Sequence, residues 1–199
     1  MKNDPYKKAG VDIKAGNDLV DIIKKDVAST FNKNVLGEIG SFSGFYSLPK
    51  GFKNPVLVAC TDGVGTKVAL AQKNYSLGTI GQDLVAMCVN DMVTSGAHPL
   101  FFLDYFASSK LDVNETATVI KGIAKACKKA HCSLIGGETA EMPNHYIGKN
   151  FDLAGFSVGV VEKELIIDPS KVKKNNWSIS SNKIDSSNSK LTHYDVLFK

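Results

Sequence analysis

A chain of 199 residues, 43% of them hydrophobic and 22% charged, is ordinary for a soluble globular protein and long enough to bury one full core, or one core and part of a second. Its 24 basic and 20 acidic side chains leave a net charge of +4 with the lysines scattered, so nothing demands nucleic acid or a membrane surface as partner. Residues 1–14 lack the apolar stretch of a signal peptide and no run reaches membrane-spanning length, so a cytoplasmic location is the default expectation.

The segment from Tyr6 to Gly16 is polar and contains glycine, and reads either as a mobile arm or as a loop that orders over a ligand. Asn17 or Asp18 is then expected to cap a helix that turns Leu19, Ile22, Ile23, Val27 and Phe31 to one side. Between Gly37 and Leu48 glycine and serine mix with aromatics, which predicts a strand or bulged hairpin anchored by buried Phe42, Phe45 and Tyr46.

Pro55 to Cys60 is a short apolar run that predicts a buried strand, ending at Thr61-Asp62-Gly63-Val64-Gly65-Thr66-Lys67. Glycines at 63 and 65 permit close approach of a ligand to the backbone, Thr66 and Lys67 suit phosphate oxygens, and Asp62 suits a hard cation such as magnesium. The same residues also fit a plain turn with Asp62 capping it, and their spacing is not that of a P-loop.

Thr79 to Ala97 carries the clearest helical period, with Leu84, Met87, Cys88, Met92 and Ser95 on one stripe and Asp91 in the same stripe. A carboxylate on the buried side costs several kcal/mol unless paired, hydrogen-bonded or metal-bound, so Asp91, with Asn90 beside it, reads either as a metal or ligand contact or as a helix-end carboxylate bonded to a neighbouring backbone amide. Leu100 to Ala107 predicts a strand covered on both sides and interrupted by Asp104, either a carboxylate bonded to a neighbouring segment or a catalytic one. Asp112 to Glu115 starts a helix that carries Val119, Ile120, Ile123 and Cys127 inward, with lysines at its end.

A second unit, in which an apolar strand leads into glycines, follows at Cys132 to Ile135 and Gly136-Gly137-Glu138-Thr139-Ala140-Glu141-Met142-Pro143. If the two strands are neighbours, Asp62, Asp91 and Glu138 converge on one magnesium ion and a polyphosphate. Asp152 to Glu162 predicts a long strand, so helices alternate with strands in an α/β or α+β layered fold. Cys60, Cys88, Cys127 and Cys132 have no metal-ligand spacing and read as buried reduced thiols. From Lys173 to Lys190 serine, asparagine and lysine dominate around a lone Trp177, which predicts a linker or the beginning of a second domain.

The blocks 9–13, 15–17, 61–67, 80–91, 99–106, 136–143 and 152–156 together closely resemble the phosphoribosylformylglycinamidine cyclo-ligase family, also called aminoimidazole ribonucleotide synthetase. The resemblance is dense from Tyr6 to about Val172. It implies ATP-dependent ring closure in purine biosynthesis: the formamide oxygen of formylglycinamidine ribonucleotide is phosphorylated, and an internal nitrogen displaces the phosphate. It also implies a mixed sheet with helices on one face, paired with a second copy's sheet into a barrel in a homodimer.

Carried over residue by residue, the resemblance makes Asp62, Asp91 and Glu138 the magnesium-binding carboxylates, as in related selenophosphate synthetases and thiamin-phosphate kinases. Asp62, Lys67 and Asp91 become the catalytic set. Gly63, Gly65, Thr66, Asn90, Gly137 and Thr139 become ATP contacts, as does the arm around Gly10, Asp12 and Asn17. The implied division is an arm over 1–16, an ATP-binding and dimerisation domain over 17–168, and over 169–199 a linker with the truncated start of a C-terminal domain. Where the family has Ser-Ser-Gly-x-His-Ser-Asn-Gly, this chain has Asn182, Ile184 and Ser187 at the positions of the first glycine, the histidine and the last glycine. The expectation is an ATP-binding half that needs a separate C-terminal half, with a non-catalytic nucleotide-binding or assembly module as the alternative.

Overall fold

The structure, a computed structural model, describes residues 5–168 and Ser170. The expected linker around Trp177 and the altered segment at Asn182, Ile184 and Ser187 lie outside the described residues.

Four strands make the main sheet: β3 (Pro55–Gly63), β4 (His98–Ser108), β5 (Ser133–Glu141) and β6 (Phe151–Glu162), in the order β3-β6-β4-β5. Strand β6 runs antiparallel to both β3 and β4, and β4 runs parallel to β5, so the sheet is mixed. The parallel pair is joined by α5 (Val113–Lys129), the crossover that parallel strands require. A small antiparallel hairpin, β1 (Val35–Leu36) with β2 (Phe45–Tyr46), stands beside the sheet, where the Tyr46 ring lies 5.4 Å from that of Phe101.

Helices α2 (Ile13–Ala28), α4 (Leu77–Val93) and α5 cover one face of the sheet, with α5 against both of the others. Their apolar stripes meet Phe102, Leu134 and Leu153, all essentially without solvent exposure, over a core that includes Leu19, Leu84, Val119 and Ile123. Each such side chain contributes roughly 1.5–3 kcal/mol by leaving water. Helices α4 and α5 cross at glycines: a Cβ on Gly81 would strike the Val119 carbonyl and one on Gly122 would strike that of Gly78. Only residues without side chains allow backbones this close.

Several elements differ from expectation. Helix α2 begins at Ile13, a turn before Asn17, because the Asp12 carboxylate accepts the backbone N–H groups of Lys14 and Ala15 and caps it there. Phe42 is fully exposed because the loop between β1 and β2 turns outward through Gly37 and Gly40, both at positive φ, and Phe45 is mostly so because it alternates on β2 with Tyr46, whose ring faces Phe101. Strand β4 is covered by helices on one side only, and on the other Tyr105 remains 39% exposed. Strand β5 does not stop at its glycines but pairs with β4 as far as Glu141.

Candidate functional site

Strand β3 delivers Asp62 and Gly63 at its end, as the sequence requires. Asp62 is half-buried, and its Oδ1 accepts the N–H of Gly63 at 2.8 Å. Gly65 follows at φ +63° and Thr66 is exposed at the start of the short helix α3 (Lys67–Lys73). Lys67, expected on phosphate, turns inward: its Nζ lies 2.9 Å from Oδ2 of Asp83, a buried carboxylate on α4, and 3.4 Å from Met87 Sδ. The buried carboxylate draws the ammonium because an uncompensated charge inside is costlier than a solvated one at the loop.

Asn90 and Asp91 lie in the last turn of α4. Asp91 is exposed rather than buried: the buried stripe at the end of α4 runs through Cys88, Val89 and Met92, and Asp91 falls beside it. Asp62 and Asp91 nonetheless act on the same two thiols, Cys60 on β3 and Cys88 on α4. Burial foremost, with these carboxylates adding, raises both thiols, Cys88 to about 12. Cys60 Sγ sits 2.9 Å from the Cys88 carbonyl oxygen and 3.0 Å from Ser157 Oγ. All four cysteines are free.

Glu138 does not join this pair. Residues 62, 155, 104 and 137 lie opposite one another across the four strands, and the next row is 63, 154, 105 and 138. Adjacent rows point to opposite faces, so Asp62 shares the helix-covered face with buried Asp104 while Glu138 stands beside Tyr105 on the open one. Three strand spacings, about 14 Å, also separate their backbones. Among the described residues no three His, Cys, Asp or Glu side chains are grouped to hold a metal ion. The donor set fits a magnesium site of one or two carboxylates, Asp62 and Asp91, completed by a ligand's phosphates, and not a three-carboxylate site within one chain.

A cavity of about 300 Å³ opens between α2, the loop at 39–42 and the strands β4 and β5. Leu19, Val20, Ile23, Val27, Ile120 and Leu134 give it apolar walls, while Asn17, Thr139, Gly137 and Asp104 are its polar or bare positions. It thus gathers three of the expected ATP contacts, from α2 and β5. Asp104 and Gly137 also line a second cavity, of about 400 Å³, with Thr61, Glu138 and Phe156. Burial pushes the Asp104 carboxyl up to about 7, and only its own backbone N–H opposes the rise. No ion pair or side-chain hydrogen bond to it occurs among the described residues. The sequence signal for this position was a carboxylate interrupting an apolar strand.

Residues 5–12, with a short helix α1 (Pro5–Lys8), fold back on the sheet. Glu141, at the end of β5, receives the N–H of Asp12 on Oε2 at 2.6 Å and that of Leu111 on Oε1 at 2.8 Å. Gly10, at φ +91°, lies against Pro143, where a Cβ would not fit. Asp12 has its carboxyl lowered, chiefly by the Ala15 N–H and further by Lys7 at 3.5 Å. Its observed work is capping, and Glu141 is the tether that sequence reasoning left unassigned.

Comparison with known proteins agrees with this architecture. A phosphoribosylformylglycinamidine cyclo-ligase from Gloeothece citriformis (strain PCC 7424) is 55% identical over 168 residues, 84% of this chain and 49% of the relative. The chain therefore spans about half the length of that curated relative. Among solved structures, thiamine-monophosphate kinase from Stenotrophomonas maltophilia K279a superposes with TM-score 0.58 at 17% identity, over 73% of this chain and 43% of that one. Hydrogenase maturation protein HypE, in complex with ATP, does so with TM-score 0.55 at 17% identity, over 80% and 44%. These two likenesses concern the fold. The family model described as AIR synthase related protein, N-terminal domain, matches residues 51–161, more than half of the 199, and the chain belongs to that family.

Proposed function

We propose that this chain is the ATP-binding and dimerising half of a phosphoribosylformylglycinamidine cyclo-ligase, which closes the imidazole ring of aminoimidazole ribonucleotide at the expense of ATP. The observation that carries this reading is the 55% identity to a protein of that name. The cavity beneath α2 supports it with an apolar slot for a nucleotide base beside Asn17, Gly137 and Thr139. Asp62 and Asp91 at the sheet's edge would hold magnesium with the nucleotide's phosphates, and the ion would neutralise charge on the transferred phosphoryl. Thr66 and the Gly63 and Gly65 backbone would orient those phosphates, and Asn90 would add a polar contact. The ribonucleotide would be completed by the part of the enzyme beyond the region this chain matches.

The open face of the sheet, with Leu57, Tyr105 and Phe156 each at least 39% exposed, would pair with a second copy's face as a homodimer. Glu138 stands on that face and would look toward the second copy rather than toward Asp62 of its own chain.

Titration with ATP in the presence and absence of magnesium tests the site. Asp62→Asn should weaken magnesium-dependent binding about tenfold or more and leave magnesium-free binding unchanged. Release of ADP on adding formylglycinamidine ribonucleotide, with and without a C-terminal fragment of the relative, separates the enzyme reading from a non-catalytic nucleotide-binding module.

A further inference from the structure

We propose that Asp104 reads the base of the nucleotide, its carboxyl group pairing with the exocyclic amino edge of adenine in the apolar cavity beneath α2. This rests on the nucleotide reading above and adds to it the group that holds the 6-substituted edge of the base.

Asp104 is more than nine-tenths buried, yet no cation and no side-chain donor among the described residues contacts it. Its register partners on both sides, Gly155 and Gly137, are glycines, and the carboxyl group leans over Gly137 into space that a Cβ there would take. Around it the cavity presents Leu19, Ile23, Ile120 and Leu134, surfaces that suit the faces of a flat heterocycle. A buried carboxyl with no partner beyond its own backbone N–H costs free energy that a ligand carrying N–H groups would recover.

The chemistry suits a purine that carries a hydrogen-bonding group at position 6, as adenine does. Held near neutral pH by burial, the group is available as a neutral acid, with one oxygen accepting and one O–H donating. That pattern is the complement of the 6-amino donor beside the N1 acceptor. Hypoxanthine reverses the order, with a 6-oxo acceptor beside an N1–H donor, which the acid meets with its proton on the other oxygen, whereas unsubstituted purine has no 6-substituent to pair. Among the described residues no three His, Cys, Asp or Glu side chains gather around it as metal ligands would.

The experiment is equilibrium binding at pH 6.5 of ATP, ITP and purine riboside triphosphate to the 199-residue protein and to its Asp104→Ala and Asp104→Asn variants. The wild type should prefer ATP and ITP to purine riboside triphosphate about tenfold or more, the ratio that one well-made buried hydrogen bond supplies. Asp104→Ala should bind all three with similar affinity, whereas Asp104→Asn, whose amide also offers an acceptor and a donor, should keep the preference. A wild-type protein indifferent to the 6-substituent, or an Asp104→Ala variant with the wild-type preference, would overturn the inference and leave the nucleotide reading standing. Failure of the wild type to bind any of the three would overturn the nucleotide reading and this inference with it.

Discussion

The Asp104 carboxyl group occupies the space above Gly137, its register partner on β5, so that a Cβ on Gly137 would overlap Oδ1 and Cγ. Gly137→Ala must therefore displace the carboxyl group or part the two strands. Overpacking of this kind costs roughly 1–3 kcal/mol. A lower urea midpoint with unchanged slope, together with weaker ATP binding, is the expected result.

Asp104 also makes stability depend on pH in an unusual direction. Its folded-state pKa of about 7 lies above the 3.8 of an ordinary aspartate, so between these values the folded protein holds a proton that the unfolded chain has lost. Stability contributed by that proton is complete below about pH 4, falls as pH rises toward 7, and is gone above it. The thiol that senses the carboxylate from α5, Cys127, is itself raised by burial and stays neutral throughout this range. Asp104→Asn should remove this decline, on the order of 3 kcal/mol, measured as the difference between variant and wild-type urea stabilities from pH 4.5 to 8.

Lys67 and Asp83 form the most buried ion pair among those between described residues. Lys67→Met leaves the Asp83 carboxylate inside without the cation opposite it, and should cost about 3 kcal/mol of unfolding free energy. The double variant Lys67→Met, Asp83→Leu should regain most of that loss. Denaturant titration of all three proteins checks both statements, and a double variant no better than the single one would contradict them.

Glu141 fastens the chain at residues 5–12 to the rest of the domain through two backbone N–H groups. Glu141→Ala should leave both donors without their acceptor and cost about 2 kcal/mol or more. Limited proteolysis offers a direct view: cleavage around Lys7 and Lys8 should accelerate in the variant, while cleavage elsewhere keeps its wild-type rate.

Much of this fold follows from local pattern. The apolar run into Asp62 makes β3, the 3.6-residue period makes α4 and α5, Asp112 caps α5 by accepting the Glu115 N–H, and the apolar run after Asp152 makes β6. These features rest on contacts between residues a few positions apart, which a sequence displays in order. The capping of α2 by Asp12 was equally local, but glycine at 16 and the polar run before it drew the helix start toward Asn17.

Strand order was not local. Whether Asp62 and Glu138 meet depends on β6 inserting between β3 and β4, and on which register each pairing adopts, because a shift of one residue exchanges the two faces. The carboxylates belong to similar motifs in sequence, yet the sheet separates them by three strands and turns them to opposite sides. Asp104 shows the converse. Its sequence context leaves its role open, and only the packing of α2 and α5 against β5 and of α4 against β4, beside a bare Gly137, makes it a buried acid at the wall of a cavity. Composition, periodicity and capping thus settled most of the elements, and the ordered motif blocks carried the resemblance to the family. The tertiary structure settled which side chains share a face, since long-range pairing, not sequence proximity, sets the distances between charges.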